Sequence, residues 1–416
     1  MSILIKNAFR QEPVYIEDNR IKAIGVEKGQ KTDEVIDAQG KALLPGLVNT
    51  HTHAAMSLFK GMGDDMLLQQ WLEERIWPAE EKLNGEKVYW GSRLAILEMI
   101  RTGTTCFNDM YFFMDDVARA AKETGIRAFL AYGFLDLMQE EKREEEIKET
   151  KAFTKKINKM NEPRVQPAVA PHSVYTVSRD GLKWCKNFAD ENGLLMHIHL
   201  SETRKENEDC VSAKGKRPTA FLDGLGALGE NVVAAHCAWL TKGEVKVLAD
   251  RDVKVSHNPC SNMKLASGGV MPYTELHEAG VTVALGTDGN ASNNNLDLFE
   301  EMKFAALLQK AHRWDARALP ASQAWDMATV NGAKALGIHA GVIEEDALAD
   351  LILVDLKKPE LTPNHDLVSN LVYSANGSCV TDVICDGELL MRHGVVKGED
   401  KTLEKAEKIA LNNTPE

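Results

Sequence analysis

Short apolar runs recur along the middle of the chain and alternate with longer segments whose apolar residues keep a helical spacing. Continuous apolar runs are typical of parallel strands buried on both faces, and their alternation with helices indicates βαβ units. The runs are, in chain order, "ALLPGLVN", "TTCFND", "IRAFLAYG", "VQPAVAP", "LLMHIHL", "VVAAHC", "VKVSHN" and "VTVALGTD". Eight such units between residue 44 and about residue 312 predict an α/β protein with a (β/α)8 barrel of the TIM type.

The segments between the runs read as amphipathic helices. They include the charged stretch "EEKREEEIKETKAFTKKINKM", which we interpret as the solvated face of a helix and not as an interaction tail. A doubly wound open sheet is the alternative to the barrel. It has little support, because no G-x-G-x-x-G sequence follows an early strand.

The two ends of the chain follow a different pattern, with short strand-like runs, turn residues and few helices. We predict one small β-sandwich formed by both termini, over residues 1–47 and 342–416, beside a catalytic barrel over residues 48–341. The alternative is that the terminal runs are extra edge strands of the barrel domain.

Composition narrows the class of protein. With 416 residues, 44% hydrophobic and 27% charged, the chain is typical of a globular protein. A formal net charge of -13 argues against nucleic acid or an anionic membrane as a partner, and no apolar run approaches the roughly 20 residues that span a bilayer. Seven cysteines without a C-x-x-C pair fit reduced thiols, so we expect a cytoplasmic protein without a secretory leader.

Residues that can bind a metal or transfer a proton collect at the ends of the predicted strands. Barrel enzymes build their active sites at the carboxyl ends of the strands, so this clustering is a functional signal. Histidines that only fill a core would be scattered over helices and strand beginnings. The strand-end residues are His51, His53, His172, His197, His199, His236, His257 and Asp288, and the other histidines are His277, His312, His339, His365 and His393.

Four of these residues suit a metal ion. His51 and His53 are two positions apart in a strand and therefore point to the same side. In "HIHLSE" either histidine can be a ligand, and we favour His199 over His197 because it is nearer the strand end. With the carboxylate of Asp288, three imidazoles suit one Zn²⁺, or Fe²⁺ as the alternative, and leave a position open for water. Such a metal lowers the pKa of its water from about 15.7 towards about 7.

The strand-end motifs resemble those of the amidohydrolase superfamily. The motifs are "PGLVNTHTH", "HIHLSET", "AAHCAWL", "VSHNPCSNMKLASG" and "ALGTDGNASNNNLDLFEEM". The resemblance is to the branch of 5'-methylthioadenosine/S-adenosylhomocysteine deaminases, which also contains the 5'-deoxyadenosine deaminases. It continues into "TVNGAKALG" and "LADLILVDL", so it covers nearly the whole chain.

The resemblance implies a single metal ion held by the four ligands named above. The fourth strand ends in "APHS" and lacks the lysine that bridges two metals in the binuclear branches. By the same resemblance, Glu202 is the proton shuttle and His236 is a hydrogen-bond partner of the metal-bound water. Asp288 accepts the proton of that water.

The resemblance also implies contacts with a nucleoside. Trp71 and Glu80, in "QQWLEERIWPAE" after the first strand, contact the substrate, and Glu80 takes the ribose hydroxyls. His172 touches the substrate as well, as do Glu202 and Asp288.

Each implied role has a structural alternative that the sequence leaves open. The alternatives are a helix residue covering the barrel for Trp71, a surface charge for Glu80, a helix cap for His172, an ion pair with Arg204 or Lys205 for Glu202, and a buried hydrogen bond to a backbone carbonyl for His236.

One departure from the family pattern bears on the substrate. Members that bind S-adenosylhomocysteine tend to have an arginine after the third strand, where this chain has Tyr132 in "RAFLAYG". The difference removes a cation suited to a carboxylate, so we favour a short uncharged 5' group, as in 5'-deoxyadenosine, 5'-methylthioadenosine or adenosine. Arg143 from the next loop is a weaker candidate to replace that arginine.

The sequence therefore predicts a metal-dependent aminohydrolase that deaminates adenine nucleosides at C6, giving the inosine analogue and ammonia. We expect a small-molecule nucleoside partner, a homo-oligomer, and S-adenosylhomocysteine as a further substrate to test. The alternatives are a deaminase or hydrolase of guanine, cytosine or a triazine, and a non-catalytic binding protein on the same barrel. The implied nucleoside contacts favour a ribose-bearing substrate, and the complete ligand set disfavours a binding protein.

Overall fold

The computed structural model describes residues 2–25, 32–66 and 68–411. Strands and helices alternate through the middle of the chain, and further strands lie at both ends. In chain order the strands are β1 (Ser2–Lys6), β2 (Val14–Glu17), β3 (Arg20–Ile24), β4 (Glu34–Asp37), β5 (Lys41–Pro45), β6 (Leu47–Thr52), β7 (Thr104–Tyr111), β8 (Arg127–Phe134), β9 (Val165–Pro171), β10 (Met196–Leu200), β11 (Val232–His236), β12 (Lys254–His257), β13 (Val283–Leu285), β14 (Leu351–Asp355), β15 (Val380–Cys385), β16 (Glu388–Arg392) and β17 (Val395–Val396).

Helices fill most of the intervals between the central strands. They are α1 (Leu68–Trp71), α2 (Trp77–Glu80), α3 (Gly85–Arg101), α4 (Met114–Thr124), α5 (Glu140–Met160), α6 (Arg179–Asn192), α7 (Arg204–Lys214), α8 (Pro218–Leu225), α9 (Lys242–Asp250), α10 (Pro259–Lys264), α11 (Tyr273–Glu278), α12 (Asn290–Asn293), α13 (Leu298–Arg313), α14 (Ala321–Ala328), α15 (Val330–Ala335), α16 (Leu367–Tyr373) and α17 (Glu399–Leu411). A π-helical turn covers Leu72–Ile76, and 3₁₀ turns cover Ala54–Phe59, Pro359–Leu361 and Gly377–Cys379. Within the described ranges, none of these helices is both long enough and apolar enough to cross a bilayer.

The strands β6 to β13 form one eight-stranded parallel sheet in which neighbours in the sheet are neighbours in the chain. The first and last strands of this sheet meet, because Thr52 forms a parallel bridge with Asp288 just after β13. The backbone amides of Thr287 and Asp288 also donate to the carbonyl of His51, at 3.2 and 3.0 Å. The sheet therefore closes into a (β/α)8 barrel, and the predicted fold is confirmed.

The first apolar run belongs to two strands and not to one. β5 pairs with β14 in another sheet, whereas β6 begins the barrel at Leu47. The chain changes sheets at Gly46, whose amide donates to the carbonyl of Asp350 at 2.9 Å. A Cβ atom at Gly46 would lie 2.3 Å from the hydroxyl of Thr105, so only glycine fits this passage.

Helix α7 lies in the segment "RKENEDCVSAK", which the apolar spacing did not predict as a helix. Its buried side chains are Glu206, Asn207 and Cys210. Because two of the three are polar, the helix has no apolar stripe, and a hydrophobic pattern cannot reveal its period. The hydroxyl of Thr203 caps the helix by accepting the amide of Glu206 at 3.0 Å.

The two ends of the chain build two further sheets. One has the order β3-β2-β1-β4, and the other, β17-β16-β15-β14-β5, combines an N-terminal strand with the C-terminal ones. Ile3, Ile16 and Leu351 are buried in one apolar core that joins the two sheets. The predicted boundaries, 47/48 and 341/342, stay a prediction, and the predicted terminal ranges include residues outside the described part of the chain.

Arg127, at the start of β8, ties the barrel to the C-terminal strands. Its buried guanidinium donates to the carboxylate of Asp350 at 2.9 and 3.2 Å and to that of Asp386 at 2.7 Å. A buried charge is tolerated when it is paired and hydrogen-bonded in this way. The contact fixes the end of the barrel opposite the strands' carboxyl ends.

Candidate active site

Four side chains converge where β6, β10 and β13 end. Nε2 of His51 and Nε2 of His53 lie 3.4 and 3.2 Å from one carboxylate oxygen, Oδ1 of Asp288. Nε2 of His199 lies 3.3 Å from Nε2 of His53. The ligand atoms of His51, His53 and His199 all lie within 4.8 Å of one another, and so do those of His51, His236 and Asp288. The structure thus brings together the four residues predicted to bind a metal.

Backbone carbonyls fix which nitrogen of two rings faces this cluster. Nδ1 of His53 lies 2.7 Å from the carbonyl of Met110, and Nδ1 of His199 lies 2.9 Å from the carbonyl of His172. Because a carbonyl only accepts, each Nδ1 carries a proton, and each Nε2 is the nitrogen that faces the centre and can bind a metal when the ring is neutral. Metal-binding histidines need this arrangement of proton and lone pair.

His51 is held by another histidine. Its Nδ1 lies 2.8 Å from Nε2 of His197. Its Nε2 is buried and has no hydrogen-bond partner within the described part of the chain. An unpartnered buried nitrogen beside two imidazole nitrogens and a carboxylate oxygen is a donor set that suits a divalent transition metal. The residues present therefore fit such a metal, and His197 lies outside the donor set.

The charges of the cluster are strongly coupled. Burial lowers the pKa of His51 to about 3. Burial also opposes a charge on His53, but the hydrogen bond to Asp288 and the charge of that carboxylate raise the pKa of His53 to about 9. Burial opposes the ionisation of Asp288 as well, yet its close contacts with the imidazole nitrogens of His51 and His53 hold its pKa well below the ordinary value. An anionic carboxylate among imidazoles favours a cation at this position.

Two donors orient Asp288. The hydroxyl of Ser261 donates to Oδ2 at 2.6 Å, and the amide of Gly289 donates to Oδ1 at 2.9 Å. Asp288 has a left-handed backbone, with a φ of 61°, a strained conformation that is typical of functional positions. The sequence analysis did not single out Ser261, although the motif "VSHNPCSNMKLASG" contains it.

Glu202 and His236 lie next to each other at the same end of the barrel, with Oε2 of Glu202 3.9 Å from Nε2 of His236. Nδ1 of His236 lies 3.2 Å from the side-chain amide of Asn258 and 3.0 Å from that of Asn262. These partners are side-chain amides and not the backbone carbonyl of the structural alternative. Burial raises the pKa of Glu202, so its carboxyl can carry a proton closer to neutral pH.

The ion-pair alternative for Glu202 is not what the structure contains. Arg204 donates to Glu208 at 2.7 Å, and Lys205 donates to Asp209 at 2.6 Å. Both pairs are exposed on the surface of α7. Neither Arg204 nor Lys205 therefore forms an ion pair with Glu202.

His172 lies beside the cluster as a neutral ring. Its ring centroid is 4.7 Å from that of His199, and its Nδ1 lies 2.9 Å from the hydroxyl of Thr176. Burial lowers the pKa of His172 to about 4. The helix that follows, α6, is capped by Ser178, so the structural alternative of a helix cap does not describe His172.

The segment after β6 carries Glu80 and Trp71. Glu80 accepts a hydrogen bond from the hydroxyl of Tyr111 at 2.7 Å, and burial raises its pKa, so it is not a plain surface charge. The ring of Tyr111, which the sequence analysis missed, lies 6.1 Å from that of His53. Trp71 is 5% exposed and its indole donates to the carbonyl of Met62 at 3.0 Å, which matches the covering role of its structural alternative.

A cavity of about 850 Å³ opens beside Glu80. Asp115 and Lys156, which also line it, form an ion pair at 2.5 Å. Sequence reasoning singled out only one of its aromatic residues, because the others follow no strand-end pattern. The aromatic side chains in its wall are Trp77, Phe112, Phe113, Tyr132 and Phe153.

A family model described as the Amidohydrolase family matches residues 42–390, most of the chain. The chain belongs to the amidohydrolase family. The matched range includes the barrel and the strands β14 and β15, which lie in the C-terminal sheet. The resemblance described from the strand-end motifs is therefore confirmed.

Relatives of this amidohydrolase include enzymes named as nucleoside deaminases. It is 55% identical over 372 residues to the 5'-deoxyadenosine deaminase of Methanoregula boonei, which covers 89% of this chain and 84% of that protein. It is 50% identical over 400 residues to the 5-methylthioadenosine/S-adenosylhomocysteine deaminase of Thermococcus sibiricus, with 94% of each protein covered. Among solved structures it is similar to an adenosine deaminase from Xanthomonas campestris with bound zinc, with a TM-score of 0.93, 34% identity, and 99% and 98% of the two chains covered.

The donor set of this amidohydrolase is a divalent-metal site. Three imidazole nitrogens and one carboxylate oxygen meet at the barrel mouth, and the solved relative from Xanthomonas campestris binds zinc.

Proposed function

We propose that this amidohydrolase hydrolyses the C6–N bond of adenine nucleosides, which gives the inosine analogue and ammonia. The observation that carries the proposal is a proton-transfer pair beside a metal-binding cluster: Glu202 lies 3.9 Å from His236, at the barrel mouth that Asp288 and the histidine ligands share. The names of the relatives, 5'-deoxyadenosine deaminase and 5-methylthioadenosine/S-adenosylhomocysteine deaminase, support this class of substrate.

The metal site takes one ion through His51, His53, His199 and Asp288. We propose Zn²⁺, with Fe²⁺ as the alternative, because imidazole and carboxylate ligands suit both ions and the solved relative binds zinc. When bound, a divalent ion lowers the pKa of water enough to supply the attacking nucleophile near neutral pH. Which ion the protein carries is decided by elemental analysis of the purified protein.

The proton transfers fall to the chain's own carboxyl groups. Asp288 is held anionic and oriented by Ser261, so it can accept the proton of the attacking water. Glu202 has a raised pKa, so it can give a proton to ring N1 and then help deliver one to the leaving amine. His236, with Nε2 3.9 Å from Oε2 of Glu202, can form a hydrogen bond in the same space. One water is consumed and one ammonia is released. Of the two protons of that water, one goes to the leaving amine and the other replaces the proton that Glu202 gave to N1.

The residues assigned to nucleoside binding lie on the segment that follows β6 and directly after β9. We assign Glu80 to the ribose hydroxyls, because a carboxylate accepts two hydroxyl donors and Tyr111 fixes one of its oxygens. His172 is neutral and lies beside His199, where a nucleobase edge can reach it. We assign Trp71, which is buried on the same segment as Glu80, to a further contact with the nucleoside.

The 5' group of the nucleoside enters the cavity beside Glu80. Its walls are mostly apolar, with Tyr132 where relatives that bind S-adenosylhomocysteine tend to have arginine. Among the described residues that line it, Lys156 is the only cation, and it is paired with Asp115. Arg143 lies 3.5 Å from Glu140 on its own helix. These observations support a short uncharged 5' group over the charged tail of S-adenosylhomocysteine.

The expected cytoplasmic location and homo-oligomeric state stay predictions.

A panel assay tests the substrate class. Protein loaded with Zn²⁺ is incubated with 5'-deoxyadenosine, 5'-methylthioadenosine, adenosine, S-adenosylhomocysteine, guanine and cytosine, and released ammonia is measured. We expect turnover of the adenine nucleosides and none of the free bases. Turnover of a free base alone would support the alternative of a guanine or cytosine deaminase. Release of no ammonia from any compound would support a non-catalytic binding protein.

A further inference from the structure

Glu206 is a buried carboxyl that the mechanism does not use. Glu206 occupies the third position of α7 and is 5% exposed. Its backbone amide donates to the capping hydroxyl of Thr203. A glutamate at this position commonly reaches back to the amide of the capping residue, which completes a capping box. Here the carboxylate reaches further back along the chain.

Both carboxylate oxygens of Glu206 hold the chain that leads from β10 to α7. Oε1 accepts the amide of Ser201 at 2.9 Å, and Oε2 accepts the amide of Glu202 at 2.7 Å. The two donors precede Thr203, so the carboxylate reaches past its own cap to the residues just after the strand. One of those donors belongs to the proton shuttle of the proposed function.

The segment held in this way has a strained backbone. Ser201 has a φ of 49°, in the left-handed region that residues other than glycine seldom adopt. Such a conformation persists only when surrounding contacts over-determine it. The carboxylate of Glu206 supplies two of these contacts, and the side-chain hydroxyl of Ser201 donates to Asn207 at 3.2 Å as a third.

Helix α9 offers a comparison within the same barrel. Thr241 caps it, and Glu244 is the glutamate of a complete capping box. Oε2 of Glu244 accepts the amide of Thr241 at 2.8 Å and is also bound by Arg217 at 2.8 Å. Glu244 and Glu206 thus share spacing, burial and helix position, but only Glu206 of the two accepts backbone amides that precede its own cap.

We propose that Glu206 is a positioning residue that sets the direction of the Glu202 side chain by fixing the amides of Ser201 and Glu202. The inference rests on the proposed function, because it assumes that Glu202 transfers protons. It acts on the proton-transfer step and leaves the ribose contact of Glu80 and the metal ligands in place.

Four variants test this inference: Glu206→Gln, Glu244→Gln, Glu202→Gln and the double variant Glu202→Gln with Glu206→Gln. The glutamine at 206 keeps the size but offers one acceptor oxygen, so one of the two amides loses its partner. Because a small misplacement of a catalytic group costs about 10²-fold, we expect kcat to fall by about that factor. KM and bound zinc stay at wild-type values, and Glu244→Gln keeps the wild-type kcat.

The double variant separates positioning from a merely structural role. Glu202→Gln alone lowers kcat by about 10²- to 10⁴-fold, the usual contribution of general acid–base catalysis. If Glu206 acts through Glu202, the double variant is no slower than Glu202→Gln. Glu206→Asp, which keeps both carboxylate oxygens, recovers part of the activity and serves if the glutamine variant does not fold.

The inference is overturned if Glu206→Gln and Glu244→Gln lose equal activity, or if the losses in the double variant multiply. The inference is also overturned, while the proposed function stands, if Glu202→Gln is inactive but Glu206→Gln and Glu206→Asp both keep the wild-type kcat. A wild-type protein that releases no ammonia from any adenine nucleoside overturns the proposed function, and this inference with it.

Discussion

Nε2 of His197 lies 2.8 Å from Nδ1 of His51, so one buried histidine orients another. Burial lowers the pKa of His51 to about 3 and that of His197 well below its ordinary value, so both rings are neutral. The hydrogen bond leaves Nε2 of His51 turned towards His53 and Asp288, in the proposed metal site. The position of a ligand is therefore set by a residue that does not itself join the donor set.

Removing that support should weaken the metal site without removing a ligand. We expect His197→Ala to lower the affinity for Zn²⁺ by about 10- to 100-fold, the usual effect of losing such a partner. Competition with a chelator measures it. The matched control is His257→Ala, since His257 is also buried at a strand end and makes no side-chain hydrogen bond within the described residues. Equal zinc affinity in the two variants would contradict the supporting role.

The cavity beside Glu80 should determine which 5' group is accepted. Tyr132→Arg places a guanidinium in its wall, where it can pair with the carboxylate of S-adenosylhomocysteine. A hydrogen bond to a charged group contributes about 1.5–3 kcal/mol, so we expect kcat/KM for S-adenosylhomocysteine relative to 5'-deoxyadenosine to rise roughly 10- to 100-fold. Steady-state kinetics with both substrates measures the ratio. A wild type that already prefers S-adenosylhomocysteine would refute the argument from Tyr132.

Glu301 should make the stability of the fold depend on pH. It is buried, accepts the amide of Cys260 at 3.3 Å and the side chain of Asn293 at 2.6 Å, and burial raises its pKa from 4.5 to about 8. A raised folded pKa means that the stability linked to its proton is complete below about pH 4.5 and lost as pH rises towards about 8.

Glu301→Gln has no such proton to lose. Between about pH 5 and pH 8, the free energy of unfolding of the wild type should fall relative to the variant by roughly 1.4 kcal/mol per pH unit. Urea unfolding of both proteins at several pH values, at constant zinc, gives the difference. Parallel pH curves would show that the carboxyl is ionised in the folded protein.

The junction of Arg127 with Asp350 and Asp386 should contribute strongly to stability. Asp350→Asn removes one charge from a buried pair and leaves Arg127 with Asp386 alone, so we expect a loss of about 3 kcal/mol in the free energy of unfolding. The control is Asp250→Asn, which breaks an exposed pair with Lys246 and should cost less than about 1 kcal/mol. Comparable losses in the two variants would mean that the junction adds no more than a surface pair.

Much of the fold follows from the apolar runs, because parallel strands buried on both faces leave a continuous hydrophobic signal. The pattern failed where burial is polar or where the chain changes sheets. Helix α7 buries Glu206 and Asn207, so no apolar stripe marks it. The first run hides a change of sheet at Gly46, which depends on the space left by Thr105, a residue of the next strand.

The candidate site divides in the same way. Histidines and Asp288 at strand ends could be found from the sequence, because the barrel brings all strand ends to one face. Ser261, Tyr111 and Glu206 could not, because their roles depend on contacts made only in the folded chain. For Trp71, the resemblance to a family implies a substrate contact that the fold alone does not distinguish from a covering role. Its buried indole, which donates to the carbonyl of Met62, fits both roles.

Product analysis in ¹⁸O-labelled water tests the central claim most directly. Zinc-loaded protein is incubated with 5'-deoxyadenosine, and the purine product and ammonia are quantified by mass spectrometry and a coupled assay. We predict 5'-deoxyinosine with one ¹⁸O atom at C6 and an equal amount of ammonia. Unchanged 5'-deoxyadenosine, or free adenine released by cleavage of the ribose bond, would contradict the proposed function.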